Sequence, residues 1–514
     1  MKVEEITSDA AINLVLDTLK IGKQAIVFAN TKASAEKNAE EISSKVKGKE
    51  LLELSEQVLH SLSKPTKQCE RLSRCIKKGI AFHHSGLVAK QRELIEDNFR
   101  SGVVKVICAT PTISLGVDLP AFRVILRDLR RYGHRGLNYI PVLEFLQMAG
   151  RAGRPSFDKE GQAIIVAASE NDKKKLWDMY ILGEPEDIYS KLNVEPVLRT
   201  YVLSLIASNF VNTKKEIFDF FSRTFWAFQF ADTAELQAVI EGVLAMLEDW
   251  GFLAGASSED FQSADSIGKE SYKATLLGKR VAELYIDPLT AHNFIECVKR
   301  ASNKKVAPFS FLQMISSSLE LRPLLRVKQK EQDKINEALA KYGGLLLMEE
   351  PSIYEPEFED YLRSIKTALF FQEWIEEKDE EYLLENYDIR PGEINSKLMI
   401  ADWLLYAAEE LTRILKFQPL LKEIINTKIR VKNGVREELL PLVKLKGIGR
   451  ARARKLHFNG IKDVGNIRDA DVQKLIQILG RNVALDVKKQ MGQDFEKMRV
   501  KENKKKGQIS LRDY

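Results

Sequence analysis

The sequence predicts a multidomain protein in which a parallel α/β domain is followed by mainly helical domains. Three observations support this fold class. Short apolar runs alternate with helical segments up to about residue 190, helical periodicity dominates after it, and basic residues are concentrated near the C-terminus. A chain of 514 residues is also too long for one hydrophobic core, so several domains are expected.

The N-terminal domain, residues 1–190, is predicted from its strand candidates. An amphipathic helix at Ala11–Leu19 precedes them, and a charged helix at Ser34–Lys45 follows the first of them. Buried runs separated by helices indicate a parallel sheet covered on both faces. The apolar runs are Gln24–Ala29, Gly79–Phe82, Val103–Cys108, Arg123–Leu126 and Gln162–Ala167.

Helical and turn patterns divide the rest of the chain. Residues 191–284 are expected to form three helices and a hairpin, an arrangement that is typical of a winged helix. The extended pieces of that hairpin lie around Phe252 and at Tyr272–Leu276. The remaining predicted segments are a helical bundle at 285–425, a basic helical module at 426–500 and a flexible basic tail at 501–514.

The net charge of +6 is unevenly distributed. Residues 426–514 contain 23 Lys and Arg against 10 Asp and Glu, a balance of +13, which leaves −7 for the rest of the chain. A basic C-terminal sixth suits binding to a polyanion, although a merely solvated C-terminus is the alternative. The sequence shows no signal peptide, no long uncharged apolar stretch and no zinc or disulfide pattern among its four cysteines. A cytoplasmic protein without a membrane partner is therefore expected.

The most specific motif is Gln147–Pro155 (QMAGRAGRP), which follows a predicted helix. Its arginines, Arg151 and Arg154, are three residues apart with a glycine between them, so two guanidinium groups can project with little bulk around them. Guanidinium suits the negative charge on a transferring γ-phosphoryl group. From these residues alone, a Gly/Arg-rich surface loop remains the alternative.

Three further motifs precede this one in a fixed order. They are Val27–Thr31 (VFANT), His83–Gly86 (HHSG) and Ala109–Pro120 (ATPTISLGVDLP). In this order and at these intervals, the four motifs resemble motifs IV, IVa, V and VI of superfamily 2 helicases, and their wording resembles the Ski-like branch. Together with the domains that follow, the chain resembles the archaeal Hjm-type DNA repair helicases over essentially its whole length. The resemblance implies a second RecA-like motor domain, a winged helix, a helical ratchet bundle and a helix-hairpin-helix module.

The resemblance also implies roles for individual residues. Arg151 and Arg154 would be arginine fingers for a nucleotide held mainly by another motor domain, and Gln147 would position the attacking water. ATP and Mg²⁺ are the implied cofactors. The other implied contacts are those of Gly116 and Asp118 with the nucleotide and of Thr110 with a DNA phosphate.

The sequence contains no motif that could grip the phosphates of ATP. A P-loop requires Gly-x-x-x-x-Gly-Lys-Ser/Thr after a strand, and none of the glycine–lysine pairs lies in that frame. There is also no Asp-Glu-x-His/Asp box. The first motor domain is therefore expected to precede Met1, and the chain alone is expected to be inactive. No metal site is expected at His83 and His84, because neighbours on a strand point to opposite faces.

A basic and aromatic segment, Arg127–Tyr139, lies between motifs V and VI. Two glycines within it suit a hairpin. In the resembled family, a hairpin here splits the duplex, which implies DNA contacts for Arg131 and for Tyr132 as the tip that stacks on the last base pair. An exposed basic loop is the alternative.

The helix predicted at Glu393–Leu415 carries an unusual tryptophan. Its apolar stripe is Ile394, Leu398, Ala401, Leu405 and Ala408, and Trp403 lies roughly opposite that stripe. The resemblance implies a ratchet helix whose tryptophan stacks on a base of single-stranded DNA, although the arginine common two turns earlier is Ser396 here. Packing of Trp403 in the core is the alternative.

The segment Leu445–Leu456 (LKGIGRARARKL) looks like a helix-hairpin-helix. Backbone N–H groups at its Gly447–Gly449 turn can bind a phosphate oxygen without reading bases. A helix–helix turn on a basic face is the alternative. Expected DNA contacts are Gly447, Gly449, Arg450, Arg452 and Arg454.

The resemblance implies an ATP-dependent 3′-to-5′ DNA helicase that acts on forked or branched DNA in repair and replication restart. The alternatives are an ATP-independent DNA-binding or adaptor protein and a Ski-branch RNA helicase. The C-terminal residues Gln508, Leu511 and Tyr514 resemble the box by which replication proteins bind the sliding clamp. A tail whose lysines only add to DNA affinity is the alternative for this segment.

Overall fold

The computed structural model divides into two compact units. Unit 1 contains Met1–Ser190 and Glu380–Lys397, and unit 2 contains Lys191–Asp379 and Leu398–Tyr514. The structure describes residues 3–47, 50–62, 64–114, 118–133, 136–153, 158–192, 194–230, 233–255 and 271–493.

Unit 1 is built on a parallel sheet, whose strands follow the order Ile80–His83, Val106–Ala109, Ala25–Phe28, Arg123–Leu126 and Gln162–Ile165. Each of the apolar runs predicted as strands contributes one strand, so the predicted parallel α/β domain is confirmed. The register aligns Val27 of the central strand with Cys108 on one side and Ile125 on the other. The strands of unit 1 are β1 Ala25–Phe28, β2 Ile80–His83, β3 Val106–Ala109, β4 Arg123–Leu126, β5 Arg130–Gly133, β6 Gly136–Tyr139 and β7 Gln162–Ile165.

Helices pack on this sheet, and several begin at a polar side chain that caps the first turn. Asp9 accepts from the N–H of Ala11 at 2.9 Å, and Thr31 accepts from that of Ser34 at 3.0 Å, as expected for N-cap residues. The helices of the N-terminal part are α1 Ala10–Lys20, α2 Lys32–Lys45, α3 Leu52–Leu59, α4 Lys67–Ile76, α5 Ala89–Arg100, α6 Val142–Ala149 and α7 Glu170–Leu176, with a 3₁₀ turn at Pro111–Ser114 and a π-helical turn at Trp177–Ile181.

The first part of unit 2 differs from the expected three helices. Among the described residues, four helices precede the two-stranded antiparallel hairpin. The additional helix is short and follows Thr224, whose hydroxyl accepts from the N–H of Ala227 at 3.5 Å. Leu276, expected at the end of an extended piece, instead begins a helix, because the hydroxyl of Thr275 accepts from the N–H of Gly278 at 3.0 Å. The elements are α8 Glu195–Ala207, α9 Lys214–Phe221, α10 Phe225–Phe230, α11 Thr233–Asp249, β8 Leu253–Gly255, β9 Tyr272–Ala274 and α12 Leu276–Leu284.

The remaining described residues form helices and turns, as the periodicity predicts. The expected boundary after residue 425 lies inside a helix, which ends only at Asn433 because Gly434 adopts a left-handed conformation with φ +62°. None of the described helices combines the length and apolarity needed to cross a membrane. The helices are α13 Pro288–Ala301, α14 Pro308–Ser316, α15 Gln332–Tyr342, α16 Glu357–Ile375, α17 Glu380–Tyr387, α18 Pro391–Ile414, α19 Gln418–Asn433, α20 Leu440–Val443, α21 Arg450–Phe458, α22 Val464–Asp469, α23 Val472–Leu479 and α24 Arg481–Gln490, with 3₁₀ turns at Gln329–Glu331, Gly343–Leu345 and Glu437–Leu439.

Candidate nucleotide and DNA interfaces

The arginine loop, Gly150–Gly153, follows α6 and pairs with the segment before β4. The N–H of Ala121 donates to the carbonyl of Arg151 at 2.9 Å, and the N–H of Gly153 donates to the carbonyl of Ala121 at 2.7 Å. This short parallel bridge joins Ala121, the residue directly after the predicted motif V segment, to the predicted motif VI segment. The Arg151 backbone is therefore fixed against the main chain where motif V ends.

Two glycines allow this loop to approach the start of β7 closely. Gly153 has φ +94°, a conformation that favours glycine. A Cβ at Gly161 would lie within 3.0 Å of the Gly153 nitrogen and the Ala152 carbonyl carbon. Gly161 was not predicted as a site residue from the sequence. Its position just before an apolar strand was the one feature that could have indicated a close backbone contact there.

The side chain of Arg151 points toward motif V. Its guanidinium donates to the carbonyl oxygen of Ser114 and lies 3.5 Å from a carboxylate oxygen of Asp118. The Asp118 side chain is 92% exposed, whereas that of Arg151 is 22% exposed. The structure therefore brings together one of the two expected arginine fingers and one of the residues expected to face the nucleotide.

The other residues expected around the nucleotide are described only in part. Arg154 and Gly116 lie outside the described residues. Gln147 is half-buried in the last turns of α6. Thr110 is buried at the end of β3, where its hydroxyl lies 3.0 Å from that of Thr112.

The predicted hairpin is present, and its base is fixed to neighbouring helices. Strands β5 and β6 are antiparallel, with Arg131 opposite Asn138. Arg131 donates two hydrogen bonds to the carboxylate of Glu144 on α6, at 3.1 and 3.0 Å. The Tyr139 ring lies 4.6 Å from the Lys175 ammonium. Arg131 is therefore placed to position the hairpin on the helix that leads into the arginine loop.

The tip of that hairpin is less fully described. The side chain of Tyr132, the expected tip residue, lies outside the described residues. Its stacking on a base pair remains a prediction.

The two adjacent histidines have separate acidic partners. His83 Nε2 lies 2.9 Å from Glu96, and His84 Nε2 lies 3.1 Å from Glu36. The N–H of Gly86 donates to His84 Nδ1 at 3.1 Å, so Nε2 must carry the ring proton that is shared with Glu36. Burial lowers the pKa of His84, which agrees with a neutral ring. Among the described residues there is no cluster of three His, Cys, Asp or Glu that could hold a metal ion.

Helix α18 buries the predicted stripe. Ile394, Ala401, Leu405 and Ala408 are buried, and Leu398 is half-buried. These side chains face the protein interior, so the predicted orientation of the helix is confirmed.

Trp403 is half-buried on a different face of α18. Its indole N–H donates to the carbonyl oxygen of Leu284 at 3.0 Å. Met399 and Tyr406, one turn away in each direction, are 75% and 39% exposed. The indole N–H of Trp403 is therefore hydrogen-bonded, and the ring lies on a partly exposed face of α18. Both stacking on a base and packing in the core are consistent with this position.

The Gly447–Gly449 turn leads directly into α21. Gly447 has φ +81°, and Gly449 is the N-cap residue without a side chain to accept from the first turn. Arg452 donates to the carbonyl oxygen of Gly447 at 2.8 Å and so closes this turn.

The other two arginines of α21 contact residues of the helical bundle in unit 2. Arg454 donates to Glu377 and Glu438, each at 2.9 Å. Arg450 donates to the carbonyl of Lys378 at 2.9 Å and lies 5.2 Å from the centroid of the Trp374 ring. Burial would raise the pKa of Glu377, but the hydrogen bond and charge of Arg454 hold it below its ordinary value. These arginines therefore attach the C-terminal module to the bundle.

Two family models match the chain. The helicase conserved C-terminal domain matches residues 50–156, which run from the start of α3 to just beyond the arginine loop. The archaeal helicase domain 4 matches residues 309–434, which run from α14 to the glycine after α19.

Three curated relatives extend this match along the chain. The ATP-dependent DNA helicase Hel308 of Pyrococcus abyssi is 38% identical over 506 residues, which cover 96% of this chain and 67% of the relative. The proteins of the same name from Pyrococcus horikoshii and Methanococcus vannielii are 36% identical over 493 residues and 34% identical over 535 residues. These alignments cover 94% and 97% of this chain, and 66% and 69% of the respective relatives. The chain belongs to the Hel308 family.

Hel308 membership confirms the resemblance to archaeal superfamily 2 DNA helicases that the motifs predict. The chain spans about two thirds of the length of these Hel308 relatives.

Sequence reasoning missed the partners that hold the expected site residues of this Hel308 chain. Most of them are far apart in sequence, as with Arg454 and Glu377, which are 77 residues apart. Opposite charge was the only signal for the partners of Arg131 and Arg454, and many other residues share it. The backbone carbonyls of Ser114 and Leu284 carry no signal in the sequence. The missed partners are Ser114 for Arg151, Glu144 for Arg131, Leu284 for Trp403, and Glu377 and Glu438 for Arg454.

Proposed function

We propose that this chain supplies the second motor domain and the DNA-handling domains of an ATP-dependent DNA helicase. The observation that carries the proposal is Arg151, whose guanidinium is held between Ser114 and Asp118. Its loop pairs with Ala121, directly after motif V. The names of the Hel308 relatives support DNA helicase activity and give no support to an adaptor or an RNA helicase. Movement in the 3′-to-5′ direction and action on forked or branched DNA in repair and replication restart are the finer parts of the proposal.

The residues of this chain fit a supporting role at a nucleotide. Arg151 carries a permanent positive charge on a partly exposed side chain, and Gly153 and Gly161 keep bulk away from its loop. When bound, ATP supplies the phosphoanhydride bond whose cleavage drives movement. Arg151, together with Arg154, would stabilise negative charge that develops on the phosphoryl group, while Mg²⁺ and most phosphate contacts would belong to the first motor domain.

We assign duplex separation to the β5–β6 hairpin and translocation to Trp403. The Arg131–Glu144 pair supports this because it fixes the hairpin base to α6, the helix that carries Gln147 and leads to Arg151. A hairpin that unstacks a base pair needs such a rigid base.

We also infer that the 191–284 segment is a winged helix and that the Gly447–Gly449 turn belongs to a helix-hairpin-helix. Four helices with an antiparallel hairpin support the first assignment, and a glycine turn leading into α21 supports the second. In both modules, contacts with the DNA backbone would add affinity without reading sequence.

The sliding-clamp contact and the cytoplasmic location remain parts of the proposal. Gln508, Leu511 and Tyr514 lie outside the described residues, so the clamp contact rests on their spacing alone. The cytoplasmic location rests on cysteine usage.

The proposal is tested with partial-duplex DNA substrates that carry either a 3′ or a 5′ single-stranded tail. An enzyme that contains this chain and a first motor domain should unwind the 3′-tailed substrate with ATP. Arg151→Ala should remove unwinding while DNA binding remains. Unwinding that survives this substitution, or that requires a 5′ tail, would contradict the proposal.

A further inference from the structure

The start of α18 is in close backbone contact with the His83–Gly86 loop of unit 1. The N–H of Gly392 donates to the carbonyl of Gly86 at 3.0 Å. A Cβ at Gly392 would lie within 3.0 Å of the carbonyl oxygens of Leu87 and Ser85. Glycine destabilises a helix relative to alanine, so this close approach explains a glycine in the first turn of α18.

Arg390 reinforces the same contact from the residue before α18. Its aliphatic part lies against Gly86, where an added Cβ would meet the Arg390 Cδ at less than 3.0 Å. Its Nε donates to Glu36 on α2 at 3.0 Å. Gly86 and Glu36 are thus both in contact with one arginine of the 380–397 segment.

Glu36 is the centre of a buried polar cluster. Its side chain is 3% exposed and accepts from Arg390 at 3.0 Å, from His84 at 3.1 Å and from Arg71 at 2.6 Å. A buried carboxylate that loses such partners is costly, so the cluster favours one position of Arg390.

Three further contacts attach the same segment to α2 and α4 of unit 1. Lys32 on α2 pairs with Glu393 in the first turn of α18. The N–H of Lys67, the first residue of α4, donates to Glu381 at 2.9 Å, and the Lys67 ammonium pairs with Glu385. The 380–393 segment is therefore attached to α2, to α4 and to the His83–Gly86 loop.

Helix α18 is continuous beyond this attachment. It leaves unit 1 at Lys397 and carries Trp403 six residues further on, about 9 Å along the helix axis. A short unbroken helix transmits displacement over such a distance without an intervening loop.

We propose that Glu36, Arg390 and Gly392 are positioning residues that make α18 move with the motor domain. Displacement of unit 1 during ATP turnover is then transmitted through the start of the helix to Trp403. This inference rests on the proposed function, since it assigns to Trp403 the contact with the translocating strand. It adds the residues that connect the displacement of unit 1 to Trp403.

The inference is tested by a distance measurement between two spin labels on the 514-residue chain. Lys90→Cys on α5 and Asn395→Cys on α18 place both labels at exposed sites within unit 1, and the native cysteines are buried. A single narrow distance distribution is expected for this parent protein. Gly392→Ala and Arg390→Ala should lose that narrow distribution, because both release the start of α18 from the loop.

Arg71→Ala is the matched control. It also removes an arginine from Glu36, but Arg71 contacts only α2 in this cluster. It should leave the distribution narrow even if the protein becomes less stable. Arg390→Lys keeps the charge and should restore a narrow distribution. A narrow distribution in both folded Gly392→Ala and folded Arg390→Ala, or equal broadening by Arg71→Ala, would overturn the inference.

A second measurement separates this inference from the proposed function. In an enzyme that includes a first motor domain, Arg390→Ala should reduce the base pairs unwound per ATP hydrolysed, whereas Arg71→Ala should not. An unchanged ratio refutes the coupling while the helicase assignment stands. Absence of unwinding by the parent enzyme refutes the proposed function, whatever the label distances show.

Discussion

Replacement of Trp403 separates its contribution to folding from its contribution to DNA binding. Trp403→Phe keeps an aromatic ring but removes the N–H that donates to Leu284 at 3.0 Å. Loss of one such hydrogen bond is expected to cost about 0.5–1.5 kcal/mol in the free energy of unfolding. Trp403→Ala also removes the ring. Since truncation of a fully buried aromatic costs about 3–5 kcal/mol, a half-buried ring should cost roughly half of that.

The effect on DNA is expected to depend on the aromatic ring and not on the indole N–H. If the ring stacks on a base, Trp403→Ala should lose about 1–3 kcal/mol of single-strand affinity, whereas Trp403→Phe should retain most of it. A loss of this size corresponds to roughly 5- to 150-fold in Kd. Trp403→Phe should therefore lower the stability while most of the DNA affinity remains, whereas Trp403→Ala should lower both.

The assays are urea unfolding followed by circular dichroism and binding of a fluorescent oligothymidine without ATP. Met399→Ala is the control for unfolding, because its side chain is 75% exposed on the same helix and should change stability by less than about 0.5 kcal/mol. Trp403→Ala with parental DNA affinity and reduced stability would refute the stacking role. Trp403→Phe with parental stability would refute the energetic role assigned to the Leu284 hydrogen bond.

Four further predictions follow from particular residues. In a coupled phosphate-release assay, the 514-residue chain alone should not hydrolyse ATP. In an enzyme with a first motor domain, Arg151→Ala should reduce ATP turnover by about 10³-fold or more while DNA binding survives. Removal of 435–514, which leaves α19 intact, should lower single-strand affinity and flatten its log–log salt dependence, and equal slopes would count against a basic DNA-binding module. Glu36→Gln should destabilise the protein near neutral pH, and the difference from the parent should shrink as pH falls below about 4.5, when measured by thermal unfolding across pH. A peptide of the last 15 residues should bind the cognate sliding clamp in calorimetry. Heat that is absent at micromolar concentration, or that survives Leu511→Ala plus Tyr514→Ala, would leave only a charged tail.

The sign of the Glu36 prediction comes from its surroundings. Burial tends to raise the pKa of this carboxyl, but the hydrogen bond from His84, the charge and hydrogen bond of Arg390 and the hydrogen bond from Gln68 together hold it well below the ordinary value of 4.5. A depressed pKa means that the ionised group stabilises the fold above the ordinary value. That contribution is lost as pH falls from 4.5 toward the lower pKa of the folded state. Stability differences that grow as pH falls would contradict this cluster.

Local patterns of the sequence determined the secondary structure of unit 1 and the orientation of α18. The run Arg123–Leu126 forms β4, and all four of its residues are buried. A strand that is covered on both faces needs apolar residues along its length, with the exception of a polar side chain that has a bonded partner. That exception is Arg123, which is 1% exposed and bonded to Asp17 at 2.8 Å. Periodicity likewise placed Ala401 and Leu405 in the core. Where a single cap outweighed the local pattern, as Thr275 does at α12, the prediction failed.

Only the tertiary structure decided which charged groups form ion pairs with one another. Arg390 and Glu36 are 354 residues apart, and the sequence between them contains no pattern that pairs them. Periodicity records which face of an element is apolar, because burial of apolar surface is additive and local. An ion pair instead depends on the positions of two particular atoms, which are set by the packing of elements distant in sequence. For this reason the sequence determined the family and the elements, and the fold determined that Arg131 and Arg454 hold neighbouring helices while Arg390 holds the start of α18.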